Sequence, residues 1–584
     1  MNSCVFPLLV GMSCAVAAPH SQPAPTTPSA VWAGFDPRSE PLDIQVSKQW
    51  VEDGARYTEI WFTGMTNGCE RVRVYAIYGA PVGGANLPGI LHIHGGGQTA
   101  YQPWLKFWNG RGYAALTFNW GGYWENRDKF TDWGSLKQGN HKDCGAMLQA
   151  TEPTVRASSW YLWTRISRRA LTVLERMPEV DGKRLGIFGV SMGGTIAWPF
   201  AAMDHRVKAA CAIYGVGWTT YPDELDATDP LASDAAMRLW RTAMEPESYA
   251  PRIKCPILFL NASNDQHGKM DWAFRTLGAL RCEWRQIHTP LFRHHIGVHE
   301  GQDLPLWMDT FVKGNGLAWP HAPEAKVSLG TDGVPRMEVK TDASQTITNV
   351  ALFYAVENRN PKNRHWRSAK AERAGNRWRA PLPVLDTNQP LFAFANVYYA
   401  NGIALGTALV RVTPATLGNA KATDQPSLIL ASASDDFAGW ATASPATDPL
   451  PPVPVTMVVT NLPDGPRALT TGVRLPLQTR RPGDPKWRAP KGAALRLQFN
   501  ARVDGELAVR VIENDMVAGM ATYECKLRLV SSPGVQTATL ALGDFTPLRG
   551  APLESWQKVH VLELDYLTGR GGEFSVVNAE WAPQ

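Results

Sequence analysis

The sequence LGIFGVSMGGTIAWPF, Leu185–Phe200, joins a short apolar run to a helical pattern through the pentapeptide GVSMG, Gly189–Gly193. This order predicts a strand, a sharp turn and a helix. In a nucleophile elbow, glycines stand two residues before and after the serine because side chains there would collide with the neighbouring strand and helix. The turn lifts the Ser191 hydroxyl clear of the backbone and directs the first helical N–H groups towards it. The motif predicts that Ser191 is a nucleophile. The alternative is a glycine-rich strand-to-helix turn that has no catalytic role.

A second motif precedes the elbow in the chain. Gly89–His94 (GILHIH) predicts a strand that runs into the glycine loop His94–Gly97 (HGGG). A glycine loop after such a strand supplies a further oxyanion-binding N–H group in enzymes that carry the elbow. We therefore expect the backbone around Gly96, Gly97 and Met192 to form an oxyanion hole.

Length, charge and cysteine content indicate how many domains the chain has and which classes of partner are excluded. The chain has 584 residues, which is too long for one hydrophobic core and predicts roughly three or four domains. Its net charge of +5 is spread along the chain without a basic block, which argues against nucleic acid or an anionic membrane as a partner. The cysteines include no CxxC pair. Cys255 and Cys282 open two successive predicted strands, so a disulfide and two reduced thiols both remain open.

The N-terminus has the pattern of a secretory signal. Met1–Ala17 has no charged side chain, a long apolar run and a small-residue Ala15-Val16-Ala17 site. The usual basic residue is missing, and acylation at Cys14 is an alternative. We expect residues 1–17 to be a signal peptide, residues 18–30 to be a proline-rich linker, and the mature protein to be secreted or periplasmic.

The elbow is followed by three further predicted strands: Val207–Tyr214, Pro256–Asn261 and Glu283–His288. Strands that alternate with helices are the unit of a parallel sheet. In the fold that uses the elbow, the triad acid follows a late strand and the histidine follows the last one. Asp265 fits the first position. His294 and His295 both fit the second, so either can be the base that takes the proton of Ser191.

The group His294, His295, His299 and Glu300 also has some features of a metal site, because two of its histidines have helical spacing. It lacks the HExxH pattern and an identifiable distant ligand. We therefore expect no metal ion and no cofactor.

Gly121–Pro153 has no clear periodicity and is rich in Trp, Asn, Asp and Gly. Such a segment inside a compact domain is usually functional, which predicts a lid or a substrate wall. Trp120, Trp124 and Trp133 are candidates to stack on sugar rings, and packing within the domain is an equal alternative.

Helical periodicity stops beyond Gly316. Residues 321–420 predict short strands with the texture of an immunoglobulin-like β-sandwich. Residues 426–584 alternate apolar and polar positions, as at Leu495, Leu497 and Phe499, which suits a jelly-roll β-sandwich. Gly418–Gln425 is interpreted as a linker, and the last domain as an accessory module.

Residues 31–320 resemble the α/β-hydrolases of the dienelactone hydrolase and acetylxylan esterase type, with a doubly wound sheet. The resemblance is carried by HIHGGGQ (His92–Gln98), the arginine-rich helix before GIFGVSMGG (Gly186–Gly194), NASNDQHGKMDW (Asn261–Trp272) and RHHIG (Arg293–Gly297). It implies that Ser191 is the nucleophile, Asp265 the acid, and His294 or His295 the base. Relatives often carry Asn-His where this chain has Arg293-His294, which favours His294.

The C-terminal domain resembles jelly-roll carbohydrate-binding modules. Together the resemblances imply an exported serine esterase that deacetylates plant polysaccharides or oligosaccharides. A glucuronoyl or pectin methyl esterase is the closer alternative, and a basic residue near the site would favour it. A serine peptidase of the prolyl oligopeptidase type shares the triad order, but the sequence has no N-terminal propeller-like repeat. A carbohydrate-binding protein with a decayed hydrolase domain is the non-enzymatic alternative, and the intact triad argues against it. The oligomeric state is left open.

Overall fold

The structure is a computed structural model that describes residues 24–123, 129–217, 220–229, 231–442, 457–463, 465–471, 475–513, 521–568 and 570–583. The predicted signal peptide and Trp124 lie outside the described residues.

The first sheet occupies the predicted catalytic domain. Its strands are β1 (Gln45–Glu52), β2 (Ala55–Asn67), β3 (Glu70–Pro81), β4 (Leu87–Ile93), β5 (Ala114–Phe118), β6 (Val180–Val190), β7 (Val207–Ile213), β8 (Ile257–Ala262) and β9 (Trp284–Thr289). Within the described residues they pair in the order β1-β2-β3-β5-β4-β6-β7-β8-β9. The pairs from β1 to β5 are antiparallel, and the pairs from β5 to β9 are parallel. The carboxyl ends of β6, β8 and β9 therefore meet at one edge.

Helices cover both faces of this sheet. They are α1 (Pro28–Trp32), α2 (Gln102–Gly110), α3 (Ser159–Glu175), α4 (Met192–Met203), α5 (Ala235–Ala243), α6 (Pro246–Tyr249), α7 (Met270–Gly278), α8 (Val298–Gly301) and α9 (Asp303–Met308), followed by a π-helical turn, Asp309–Lys313. Neighbouring residues of β6 face opposite sides: Ile187 joins the core under α3 and α4, whereas Phe188 joins the core under α2 and α9. The predicted doubly wound α/β-hydrolase fold is confirmed.

The predicted linker 18–30 is wrong over its last residues, because helix α1 begins at Pro28. Thr27 caps α1 by accepting a hydrogen bond from the Ala30 N–H, and Pro28 occupies the first turn of the helix. Trp32 at its end is buried, stacks on Tyr161 and donates from Nε1 to the Tyr249 hydroxyl at 3.0 Å. The buried Trp32 ring holds α1 against the hydrolase domain. This domain therefore begins before residue 31.

The second domain is a two-sheet sandwich, and its strands are β10 (Glu324–Leu329), β11 (Pro335–Lys340), β12 (Ile347–Val356), β13 (Arg367–Ala369), β14 (Glu372–Ala374), β15 (Arg377–Pro381), β16 (Leu391–Tyr399), β17 (Ala404–Gly406) and β18 (Val410–Val412). One sheet has the order β10-β11-β15-β14, and the other has the order β13-β12-β16-β17 with β18 beside β16. All these pairs are antiparallel, and the apolar core lies between the two sheets.

The third domain is a second antiparallel sandwich. Its strands are β19 (Ile429–Ala431), β20 (Trp440–Thr442), β21 (Met457–Asn461), β22 (Arg467–Thr471), β23 (Leu477–Thr479), β24 (Ala493–Ala501), β25 (Gly505–Ile512), β26 (Thr522–Leu529), β27 (Gln536–Leu540), β28 (Thr546–Pro547), β29 (Val561–Tyr566) and β30 (Phe574–Pro583). One sheet has the order β21-β22-β30-β24-β27 with β19 beside β30, and the other has the order β20-β23-β29-β25-β26-β28. The predicted fold class, one α/β domain followed by two β-sandwiches, is confirmed.

The tryptophans of the third domain belong to its core. Trp440, Trp487, Trp556 and Trp581 are all buried. The indole Nε1 of Trp440 donates to the Leu430 carbonyl at 2.7 Å, and that of Trp581 donates to the Trp487 carbonyl at 2.8 Å. These four rings are therefore not available as a surface on which sugars stack.

The segment interpreted as a linker before the third domain is anchored. Asp424 is buried, and its carboxylate accepts from Arg367 at 2.7 Å and from Lys486 at 2.6 Å. Arg367 also pairs with Asp484 of the third domain at 2.8 and 2.5 Å. Gly418–Gln425 contains no helix or strand, and its end is fixed by the ion pairs of the buried Asp424.

A loop of the second domain enters the hydrolase domain. Arg364 is fully buried and forms two hydrogen bonds with Asp271 of α7, at 2.6 and 3.0 Å. The guanidinium lies 3.6 Å from the centre of the Phe392 ring. The Asn264 side-chain NH₂ donates to carbonyls of the same loop, with its nitrogen 3.0, 3.2 and 2.8 Å from the oxygens of Pro361, Lys362 and Arg364, so one N–H is shared between two of them. The second domain therefore supports the loop that carries Asp265.

We predict that Arg364→Ala destabilises the fold by about 3–5 kcal/mol, because it leaves the buried Asp271 carboxylate without its partner. Urea denaturation followed by tryptophan fluorescence measures this change. The matched control is Lys558→Ala, which removes an exposed ion pair with Glu554 and should leave the denaturation midpoint unchanged. Equal midpoints for Arg364→Ala and the wild type would show that this contact does not hold the domains together.

The structure also bears on the disulfide alternative and on membrane-spanning helices. Cys255 and Cys282 are free thiols in the structure. Among the described residues, no helix is both long and apolar enough to cross a membrane.

Candidate active site

The predicted elbow lies between β6 and α4. Ser191 has φ 56° and ψ −117°, a strained conformation for a residue other than glycine. A Cβ atom on Gly189 would lie 2.0 Å from the Gly193 carbonyl oxygen, and a Cβ on Gly193 would lie 2.0 Å from that of Ile93. These are collisions of the kind that the motif predicts. The backbone N–H of Ser191 donates to the Ile213 carbonyl at 2.9 Å, which fixes the turn on β7.

A chain of hydrogen bonds leads from the elbow to a buried carboxylate. The Ser191 Oγ lies 2.9 Å from Nε2 of His294, and Nδ1 of the same ring lies 2.6 Å from Oδ2 of Asp265. The Asp265 side chain is fully buried, whereas His294 keeps 19% of its side chain exposed. Asp265 follows β8 and His294 follows β9, so the three side chains meet at the carboxyl edge of the sheet.

The alternative base, His295, has different neighbours. Its ring is buried and packs edge-to-face on Phe292, with ring centres 5.6 Å apart. Burial, with a smaller contribution from the nearby His294, lowers the pKa of His295. The structure therefore brings His294, and not His295, to Ser191 and Asp265.

The glycine loop lies directly against the elbow. A Cβ on Gly95 would lie 3.3 Å from the Ser191 Cβ, and a Cβ on Gly96 would lie 2.5 Å from the Met192 sulfur. The Gly95 N–H is already used by the Gln98 side-chain oxygen at 2.7 Å, and Gly97 turns the chain at φ 68°. Met192 is the first residue of α4, where an N–H has no intrahelical acceptor. The predicted oxyanion residues therefore lie on the two segments that meet beside Ser191.

The structure corrects the predicted substrate contacts of Trp120 and Trp133. Both side chains are buried, with exposures of 0% and 1%. Trp120 stacks on His94 and donates from its indole to the His94 carbonyl at 2.8 Å, and Trp133 donates to the Trp120 carbonyl at 3.2 Å. Trp120 therefore supports the start of the glycine loop, and Trp133 supports Trp120.

Two histidines that received no role from the sequence stand at the site. His267 is half-buried, and its Nδ1 lies 3.2 Å from the Ser191 Oγ. Nε2 of His141 would lie 3.1 Å from a Cβ on Gly96, so this ring adjoins the glycine loop. His267 lies in the NASNDQHGKMDW segment, two residues after Asp265, which is the one signal that pointed to it. His141 is an isolated histidine in an unpatterned segment, and no signal singled it out.

A small pocket lies along α4, the helix that follows the elbow, and is lined by Trp160, Thr195, Pro199, Trp240 and Glu245 among others. The Glu245 carboxyl accepts hydrogen bonds from the Thr220 hydroxyl at 2.5 Å and from the Trp240 indole at 3.2 Å. Burial nevertheless raises its pKa above the usual value.

We predict a pH-dependent effect of Glu245→Gln on stability. A carboxyl whose pKa is raised on folding stabilises the fold below its unfolded pKa of 4.5, and that stability is lost as the pH rises through the folded-state pKa. Glutamine keeps an acceptor oxygen for Thr220 and Trp240 but does not ionise. The Tm of the variant relative to the wild type should therefore increase from about pH 5 to about pH 8. The exposed Glu554, changed to Gln, is the control that should show no such trend.

The four side chains of the alternative metal site point to different partners. His294 faces Ser191 and Asp265, whereas Glu300 accepts from the Tyr398 hydroxyl at 2.7 Å. No group of three His, Cys, Asp or Glu side chains in the described part of the chain is placed to hold a metal ion.

Part of the chain matches a known protein family. Residues 138–286 match the model of the dienelactone hydrolase family, which confirms the resemblance read from the sequence. The matched segment contains Ser191, Asp265 and His267 but ends before His294. No curated protein matches the chain.

Two acetyl xylan esterases are among the similar solved structures. The one from a Thermoanaerobacterium species is 18% identical, covers 46% of this chain and 88% of its own, and has a TM-score of 0.36. The one from a Paenibacillus species is 19% identical, covers 49% of this chain and 92% of its own, and has a TM-score of 0.37.

Proposed function

We propose that the protein is a serine carboxylic ester hydrolase that deacetylates plant polysaccharides or oligosaccharides outside the cytoplasm. The observation that carries this proposal is the chain of hydrogen bonds from Asp265 through His294 to Ser191. A strained serine at a strand-to-helix turn, an imidazole in contact with it and a buried carboxylate behind the imidazole are the parts that acyl transfer requires. The acetyl group and the sugar are carried over from the family resemblance.

In the first half of the reaction, the Ser191 Oγ attacks the ester carbonyl while its proton passes to Nε2 of His294. The Asp265 carboxylate holds Nδ1–H of the same ring and stabilises the imidazolium that forms. The carbonyl oxygen becomes an oxyanion, for which the N–H groups of Gly96 and Met192 are the proposed donors. His294 then protonates the leaving alcohol, and an acyl-enzyme remains on Ser191.

In the second half, His294 takes a proton from a water molecule, which attacks the acyl-enzyme. The tetrahedral intermediate collapses, the carboxylic acid leaves and the proton returns to Ser191. Besides the substrate and this water molecule, the proposed steps use only the side chains and backbone N–H groups named here.

The test is hydrolysis of three substrates by the purified protein: acetylated xylan, a methyl ester of glucuronic acid and a peptide amide. The proposal predicts release of acetate from xylan by the wild type and none by Ser191→Ala. Release of methanol from the glucuronate ester without acetate release would favour the uronate esterase. Cleavage of the peptide amide alone would contradict the proposal.

A further inference from the structure

The Ser191 hydroxyl contacts two histidine rings. Nε2 of His294 lies 2.9 Å and Nδ1 of His267 lies 3.2 Å from the same Oγ atom. The two rings are 5.1 Å apart at their centres and inclined at 65°, so they approach the oxygen from different directions. A Ser–His–Asp mechanism accounts for one of these rings only.

The protons can be assigned by counting donors. The Asp265 carboxylate accepts at 2.6 Å from Nδ1 of His294, so Nδ1 carries the proton and Nε2 is the acceptor for the Ser191 hydroxyl. A hydroxyl has one proton, and here it is given to His294. The contact at 3.2 Å is then a hydrogen bond only if Nδ1 of His267 carries a proton and donates it to Oγ.

The surroundings favour a neutral ring in this position. Burial lowers the pKa of His267 well below its usual value, and the nearby His294 and His141 lower it further. A neutral ring protonated at Nδ1 offers a donor to Ser191 without adding a charge that would repel the imidazolium of His294.

The backbone of His267 is fixed on both sides. Its N–H donates to Oδ1 of Asp265 at 2.5 Å, and its carbonyl accepts from the Gly215 N–H at 2.9 Å. Gly215 has φ 86°, and a Cβ there would lie 2.4 Å from the Thr195 nitrogen. One carboxylate therefore orients both rings: Oδ2 holds the His294 ring, and Oδ1 holds the backbone that carries His267.

We propose that His267 is a further catalytic residue, whose Nδ1–H donates to the Ser191 Oγ and stabilises the negative charge that develops there. The proposal rests on the esterase function proposed above. Charge develops on Oγ when its proton leaves during attack, and again when Oγ is expelled from the second tetrahedral intermediate. His267 keeps its proton throughout, so His294 remains the only group that transfers protons in this scheme.

The test compares two substitutions of similar size. In His267→Asn the side-chain amide nitrogen can stand near the position of Nδ1 and donate, whereas His267→Leu has no donor. Loss of one donor to a developing oxyanion costs about 10²- to 10³-fold in rate. We expect kcat/KM on an aryl acetate to fall by about that factor for His267→Leu and by less than about tenfold for His267→Asn.

A fluorophosphonate probe separates this proposal from the proposed function. The Ser191 Oγ displaces fluoride from phosphorus, and His294 takes the serine proton, so the labelling rate reports nucleophilicity without a known substrate. His267→Leu should be labelled about 10²-fold more slowly than the wild type. Labelling of the wild type without hydrolysis of any sugar ester would contradict the proposed function and leave the comparison at His267 intact.

Values of kcat/KM and of the labelling rate for His267→Leu close to those of the wild type would overturn the proposal. Equal losses of kcat/KM in His267→Leu and His267→Asn, when both variants keep the wild-type Tm, would also overturn it. If His267→Leu does not fold, ¹⁵N-histidine NMR of the wild type decides. The His267 signal, assigned by its loss in His267→Asn or, failing that, by its shift on phosphonylation of Ser191, should show a proton on Nδ1. A proton on Nε2 alone would overturn the proposal.

Discussion

Ser191→Ala is expected to lower kcat/KM on an aryl acetate by about 10⁴- to 10⁶-fold. The substitution removes the atom that forms the bond to the acyl carbon, and neither His294 nor His267 can replace it. The Tm should change little, because the hydroxyl contributes little packing and the turn is fixed by Gly189 and Gly193. Initial rates and thermal unfolding of the same preparation measure both quantities.

Turnover by Ser191→Ala within about tenfold of the wild type would show that another group attacks the ester. Thr195→Ser is a matched control on the same helix, because Thr195 donates to the Gly215 carbonyl and not to the triad. It should keep the wild-type rate.

His294→Ala should lose nearly as much activity as Ser191→Ala, within about tenfold of it, because triad members act as a unit. Without the ring, Ser191 has no base at 2.9 Å and Asp265 has no partner at 2.6 Å. His295→Ala should lose less than about tenfold in kcat/KM, because its ring packs on Phe292. The two variants are compared on the same aryl acetate, with the folded fraction determined by thermal unfolding.

A larger loss for His295→Ala than for His294→Ala, with both proteins folded, would assign the base to the other histidine. A loss confined to Tm for His295→Ala agrees with its buried position.

The parts of the site that the sequence predicted depend on local collisions and on strand order. Gly189 and Gly193 are required by contacts within the turn itself, so a five-residue motif is enough to locate Ser191. Asp265 follows from its place after β8, because the carboxyl ends of parallel strands lie at one edge. These features are set by neighbours in sequence or by a general rule of the fold.

The choice between His294 and His295 could not be made from residue pattern alone. Neighbouring loop residues point in different directions, and the direction depends on what the loop packs against. Here Phe292 takes the His295 ring, which leaves His294 beside Tyr214, with ring centres 4.1 Å apart. The family resemblance favoured the residue that the structure places at Ser191.

Burial was harder to predict than element type. Trp120 and Trp133 lie in a segment without periodicity, where exposed and buried aromatics look alike in sequence. Trp120 is buried against His94, which is distant in the chain, and Trp133 donates to the Trp120 carbonyl. The support of the Asp265 loop by residues 361–364 likewise joins two domains, and no local pattern encodes such contacts.

The proposed mechanism requires a covalent acyl group on Ser191. Wild-type protein mixed with an aryl acetate, quenched in acid within milliseconds and digested for peptide mass spectrometry should carry an acetyl group on the peptide that contains Ser191. The Ser191→Ala protein, treated in the same way, should carry none at that position. Ester turnover with the acetyl group on any other residue, or turnover retained by Ser191→Ala, would contradict the assignment of Ser191 as the nucleophile.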